Sequence, residues 1–132
     1  MSDKTEEAIQ KSTDYYNSSD TDTYYRKIWG GESIHVGIFD EPGIGIREAA
    51  RRAVAYIADR LDTLSSDSTV IDLGAGFGGP IRQLVTDYNC SGIALNASAL
   101  ELEAMAKTNA AEGLTGKITP LEGNYEDIPM ED

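Results

Sequence analysis

Apolar residues recur along this chain in two rhythms, and the change between them falls near residue 69. Upstream, Ile46, Ala49, Ala50, Ala53, Val54, Ile57, Ala58 and Leu61 return at three-and-four spacing, which puts them on one face of a helix. Arg47, Glu48, Arg51, Arg52, Asp59 and Arg60 take the other side. An earlier helix is predicted over about residues 4–16, with Ala8, Ile9, Ser12, Tyr15 and Tyr16 sharing a face. Asp3 and Glu6 have the spacing of a capping box, which satisfies otherwise orphaned N–H groups. Between the helices come Tyr24-Tyr25, Ile28-Trp29, Gly30-Gly31 and a loose alternation over residues 34–39 that stops before Pro42.

Downstream, strand and helix patterns alternate. Thr69-Val70-Ile71-Asp72-Leu73 is a short β-branched run that reads as a buried strand. Pro80 stands where a helix would begin, a place where its missing N–H costs nothing, and Ile81, Leu84, Val85 and Tyr88 give that helix its stripe. Ser91-Gly92-Ile93-Ala94-Leu95 is a second strand. Ser98 and Glu101 form a capping box for a helix to about Glu112, with Gly113 as its left-handed stop. Lys117-Ile118-Thr119-Pro120-Leu121 is a third strand, and its proline predicts a short or edge position. This order implies parallel strands with right-handed helical crossovers, hence an α/β, Rossmann-like sheet. The Ser/Thr/Asp-rich stretch over residues 62–69 divides a cap segment with the first core helix (1–62) from a ligand-binding half (63–132).

Composition narrows the functional classes. The net charge of −12 repels phosphate backbones, because nucleic-acid affinity rests on Lys and Arg neutralising phosphates. The same acidity suits a protein working in high salt. No apolar run approaches the roughly 20 residues of a membrane helix. The N-terminus is polar and acidic, unlike a signal peptide, and Cys90 is the one cysteine. The expectation is a cytoplasmic protein that binds neither nucleic acid nor membrane.

The chemistry centres on Asp72-Leu73-Gly74-Ala75-Gly76-Phe77-Gly78-Gly79. In a Rossmann-like sheet the first strand–helix turn approaches the ligand closely, and glycines remove the side chains that would block it. The D-x-G-x-G-x-G form resembles motif I of class I S-adenosylmethionine-dependent methyltransferases. Gly79 also supplies dinucleotide spacing, so the turn alone leaves an NAD site open, although Pro80 deletes an N–H where a pyrophosphate would sit. The second strand should end in a group that holds the ribose, usually an acid. Here the residue is Asn96, which can accept and donate but lacks the charge; it equally suits the entry to a helix cap. Gly123-Asn124-Tyr125-Glu126-Asp127-Ile128-Pro129 resembles the methyltransferase segment whose polar side chain meets the adenine amine and whose next backbone N–H meets a ring nitrogen. Asn124 and Tyr125 match those places.

The upstream third sharpens the resemblance. Tyr15-Tyr16-Asn17, Tyr24-Tyr25 and residues 28–37, Ile-Trp-Gly-Gly-Glu-Ser-Ile-His-Val-Gly, followed by the glycine turn and the Leu95-Asn96 pair, closely resemble the sarcosine/dimethylglycine N-methyltransferases, which make the osmolyte glycine betaine. The resemblance implies S-adenosylmethionine held by Tyr16, Asp72, Gly74, Ala75, Gly76, Asn96, Ala97, Asn124 and Tyr125 under a helical cap. It also implies Tyr24, Trp29 and His35 at the reacting groups, with a small amine as acceptor. Aromatic faces attract a diffuse sulfonium or methylated ammonium charge by about 0.5–2 kcal/mol each. Trp29 equally suits a core position, and His35 suits a structural role as well as orienting or deprotonating the substrate. The expected reaction is direct in-line displacement by the acceptor nitrogen, without metal or covalent intermediate. Other readings are methyl transfer to another small acceptor, a non-catalytic nucleotide-binding module, and an NAD-dependent oxidoreductase.

A complete sheet of this class needs further strands, so the chain is expected to be the N-terminal portion of a longer enzyme, truncated after the third parallel strand. The full-length protein is expected to be a monomer or homodimer. An open three-strand sheet should expose an apolar edge and face.

Overall fold

A computed structural model describes residues 3–16, 23–24, 27 and 31–130. Its elements are α1 (Asp3–Tyr16), α2 (Ile46–Ala58), β1 (Thr69–Leu73), α3 (Gly79–Tyr88), β2 (Ser91–Asn96), α4 (Ala99–Ala111) and β3 (Ile118–Glu122). The strands are all parallel, in the order β1-β2-β3, with Ile71 level with Ile93 and Ile93 level with Thr119. The predicted alternation is therefore the observed one. Pro120 stands in β3, at the sheet edge, where a missing N–H disturbs least.

One sheet face carries the core. Ala94 and Ile118 pack with Ile81 and Val85 of α3 and Leu102 and Met105 of α4. Gly92 lets α3 lie close, since a Cβ there would stand 2.7 Å from the Ile81 side chain. Pro80 opens α3 as expected, after Gly78 in the left-handed region. Ser98 Oγ accepts from the Glu101 N–H at the start of α4, and Gly113 closes it at φ +72°. The other sheet face is covered only in part among the described residues: Leu95, level with Leu73, is buried. Ile71 and Leu73 are 43% and 51% exposed, the open apolar face expected of three strands.

The stripe on α2 is narrower than its spacing predicts. Val54 and Ala58 pack against Leu84 of α3, and Ala49 and Ala50 are buried. Ile46, Ile57 and Leu61 are exposed. The reason is that α2 rests on α3 through small residues, and nothing described lies against the rest of its apolar face. Contacts from Val54 and Ala58 to Leu84 cross residue 62, which marks a change of topology rather than a break in packing.

Residues 31–39 form an extended strap instead of a strand. Its Ile38 N–H donates to the Ala49 carbonyl at 2.9 Å. Gly37 makes this approach possible: a Cβ there would lie 2.5 Å from the Ala49 carbonyl carbon and 2.7 Å from Ala50 N. Helix backbone cannot yield as a side chain can. Gly37→Ala should therefore lower stability by about 1–3 kcal/mol in urea denaturation. Gly116→Ala, with open space around its Cβ position, should be close to neutral by the same measurement.

Candidate functional site

The glycine turn leaves the carboxyl end of β1 with Gly74, Gly76 and Gly78 at φ +80°, +54° and +80°. Side chains other than glycine rarely adopt these angles. The Gly74 and Ala75 N–H groups both donate to the Leu95 carbonyl at 2.9 Å. That fixes the turn to the end of β2 and sets Asn96 beside it. A Cβ on Gly74 would meet nothing within 4 Å, so this side of the turn is open.

The open side faces a cleft of about 520 Å³. Gly74, Gly76, Asn96, Ala97, Asn124 and Tyr125 line it, as the sequence anticipates. Ala8, Ile9 and Ser12 of α1 line it from the cap, and Ile34 from the strap. Of the predicted cofactor residues whose side chains are described, Ala75 and Asp72 stand outside the lining. The methyl of Ala75 is in the core, and its N–H is held by Leu95, so only its backbone shapes the site. Asp72 lies beneath the turn.

Asn96 is buried, and its Nδ2 donates to Glu101 Oε2 at 2.6 Å. Glu101 is itself buried and lines the cleft. It supplies the carboxylate that Asn96 lacks. From sequence Glu101 reads as the capping partner of Ser98, a local role that accounts for an acid there and conceals the second one. Asn124 Oδ1 accepts from the Glu126 N–H at 2.8 Å and the Asp127 N–H at 3.1 Å. Two backbone donors on this oxygen identify it as the amide's oxygen and occupy both its lone pairs. Asn124 therefore shapes the 124–127 turn at the edge of the cleft.

Asp72 is largely removed from water, and its Oδ2 has no hydrogen-bond partner among the described residues. Burial pushes its carboxyl up from the ordinary value of 3.8, and the nearby His35 opposes that in part. His35 Nδ1 is 3.1 Å from the Val36 carbonyl, so the ring belongs to the strap and Asp72 rather than to the cleft lining. Tyr24 is exposed and does not line the cleft. Trp29 and the Tyr16 side chain lie outside the described residues.

A larger cavity of about 630 Å³ lies behind the turn, among α2, α3, α4 and the strap. Arg47, Arg51 and Arg82 line it, and none of the predicted site residues does. Among the described residues no group of three His, Cys, Asp or Glu could hold a metal, and no helix is long and apolar enough to cross a membrane.

Comparison with known proteins bears on this geometry. No protein-family model matches the chain. The sarcosine/dimethylglycine N-methyltransferase of Halorhodospira halochloris is 39% identical over 127 residues, covering 96% of this chain and 46% of the relative. The glycine/sarcosine/dimethylglycine N-methyltransferase of Actinopolyspora halophila is 39% identical over 125 residues, covering 95% and 22%. A Galdieria sulphuraria crystal structure, provisionally assigned as a sarcosine dimethylglycine methyltransferase, matches with TM-score 0.79 and 37% identity over 86% of this chain and 45% of its own. Over nearly all of its length the chain is similar to part of these N-methyltransferases. It spans less than half the length of these relatives. Its three parallel strands alternating with helices match part of the fold of that crystal structure.

The position of Asp72 beneath the turn has a measurable consequence. Its carboxyl titrates higher folded than unfolded, so the folded state holds the extra proton and stability falls as pH rises from 3.8 through the raised value. Asp72→Asn removes this penalty. The variant without ligand should be more stable than the parent at neutral pH, and the difference should close as pH falls below 3.8, read from urea midpoints across a pH series.

Proposed function

We propose that the 520 Å³ cleft binds S-adenosylmethionine and serves N-methylation of sarcosine and dimethylglycine to glycine betaine, in a cytoplasmic enzyme of osmolyte synthesis. One observation carries the reading. The open glycine turn, the Asn96–Glu101 pair and the 124–127 turn converge on one cleft under a helical cap, and among the described residues its lining contains carboxylates but no Lys, Arg or His. Such a lining favours a cationic ligand.

The fit can be followed group by group. Glu101, aligned by Asn96, accepts from the ribose hydroxyls, and its charge strengthens those bonds. The backbone at Gly74 and Gly76 lets the ligand lie against the turn. The Tyr125 N–H faces a ring nitrogen of the adenine. Asp72, held in its charged form only at a cost, is stabilised by a nearby ligand ammonium. Bound there, S-adenosylmethionine supplies a methyl group on a sulfonium. The chain's part is to align that group with the acceptor nitrogen and to exclude water, from which most of the acceleration would come. Ile9 and Ile34 close the cleft with apolar surface. Tyr16 and Trp29 would supply aromatic faces for the sulfonium and the amine, with His35 acting through Asp72.

A dinucleotide fits less well, although Glu101 removes the objection that no acid stands near the ribose site. Pyrophosphate needs an open helix N-terminus. Here the strap covers it: a Cβ on Gly79 would lie 2.8 Å from the Glu32 carbonyl oxygen, and Pro80 offers no N–H.

Calorimetric titration should show S-adenosylmethionine and S-adenosylhomocysteine binding and NAD not binding. Binding of NAD but neither sulfur ligand sinks the reading. Glu101→Gln and Asn96→Ala should each weaken S-adenosylhomocysteine by about tenfold, with the double variant losing less than the product, because the two act as a unit. Methyl transfer to a phenol or lipid, and not to glycine, sarcosine or dimethylglycine, would reassign the acceptor.

A further inference from the structure

We propose that Arg82 and Glu32 are positioning residues that anchor the strap over the cofactor turn, so that the front wall of the cleft keeps its shape only while this pair is made. The inference rests on the cofactor reading above and concerns a place outside the cleft.

Arg82 is 4% exposed, on α3, at the floor of the cavity behind the turn. Its guanidinium reaches three parts of the molecule. Nη2 donates to the Phe77 carbonyl at 2.7 Å, inside the glycine turn, and also to the Glu32 carboxylate in the strap. Nη1 donates to Asn109 Oδ1 at 3.1 Å on α4, and Nε is 4.0 Å from Glu112. Glycine is required where these parts meet. A Cβ on Gly78 would stand 2.8 Å from both Arg82 Nη1 and the Met105 side chain.

The strap runs from this anchor round to the front of the turn. Two residues after Glu32, Ile34 covers Gly76, lying 3.5 Å from where a Cβ would be, and lines the cleft. His35 follows and faces Asp72. Glu32 thus holds the near end of the segment that shapes the front wall. An arginine suits the task because its planar fork offers several donors in fixed geometry, so one buried cation can hold the turn, the strap and α4 together.

A role confined to stabilising a buried cation predicts that Glu32 and Glu112 are interchangeable, since both carboxylates flank the same guanidinium and both are about half exposed. The anchor predicts that they are not. Backbone ¹⁵N order parameters of residues 31–36 should fall below about 0.6 in Glu32→Ala and stay at the parent's level in Glu112→Ala, with Glu32→Gln between. S-adenosylhomocysteine affinity should drop about tenfold in Glu32→Ala and less than twofold in Glu112→Ala. Unchanged order in Glu32→Ala, or unchanged affinity once the strap is released, overturns the proposal. A parent protein that binds no S-adenosylhomocysteine refutes the cofactor reading instead. The strap's order is measured without ligand and decides the anchor by itself.

Discussion

The site depends on one carbonyl. Leu95 O accepts the N–H groups of both Gly74 and Ala75, which carries the β1–β2 pairing one step past the end of β1. Without that pair of bonds the left-handed glycines would have no fixed direction. With it, the turn is tied to the strand that ends in Asn96, and both are placed on one cleft. Gly123 N–H extends the arrangement by donating to Asn96 O at 3.1 Å, so β3 delivers the 124–127 turn to the same cleft. The ligand surface is thus built mostly from backbone whose register the sheet dictates.

Charge is sorted around this frame. The protein is strongly acidic, yet three arginines gather behind the glycine turn while the cleft in front holds only carboxylates. The buried Arg82 answers the Phe77 carbonyl and the Glu32 carboxylate behind the turn, and Glu101 lines the cleft in front. A cation entering the cleft is attracted by the front and kept away from the guanidinium groups by the turn itself.

The parts of this arrangement that were legible in the sequence are those that local chemistry determines. The glycines, Pro80 and the helix stop at Gly113 are read from backbone preferences alone, and all three took their predicted places. Glu101 was half legible: the capping box accounts for its N–H, but its carboxylate goes to Asn96, and spacing on a helix does not reveal which acceptor wins. Asn124 is read from the sequence as a cleft residue, but its bonds to the Glu126 and Asp127 N–H groups are not, because a short polar side chain can satisfy its own turn. Arg82 sits beside the apolar stripe of α3 and looks like surface; its burial depends on Glu32, fifty positions earlier. No periodicity reports a partner at that distance. The exposed Ile57 and Leu61 fail in the opposite way, since a helical stripe shows what could be buried, not what is there to bury it.

The sheet order has a consequence for how such a molecule is made. Each strand pairs with its neighbour in the chain, β1 with β2 and β2 with β3, and none waits for a distant partner. The turn, the Asn96–Glu101 pair and the back of the core can assemble in the order in which a ribosome releases them, although parallel pairing across a helical crossover is slow. The face carrying Ile71 and Leu73 then stands partly uncovered at the moment of synthesis. A nascent chain of this kind offers chaperones a flat apolar surface beside a free strand edge, and its safe folding is a race between packing on that face and sticking to another chain.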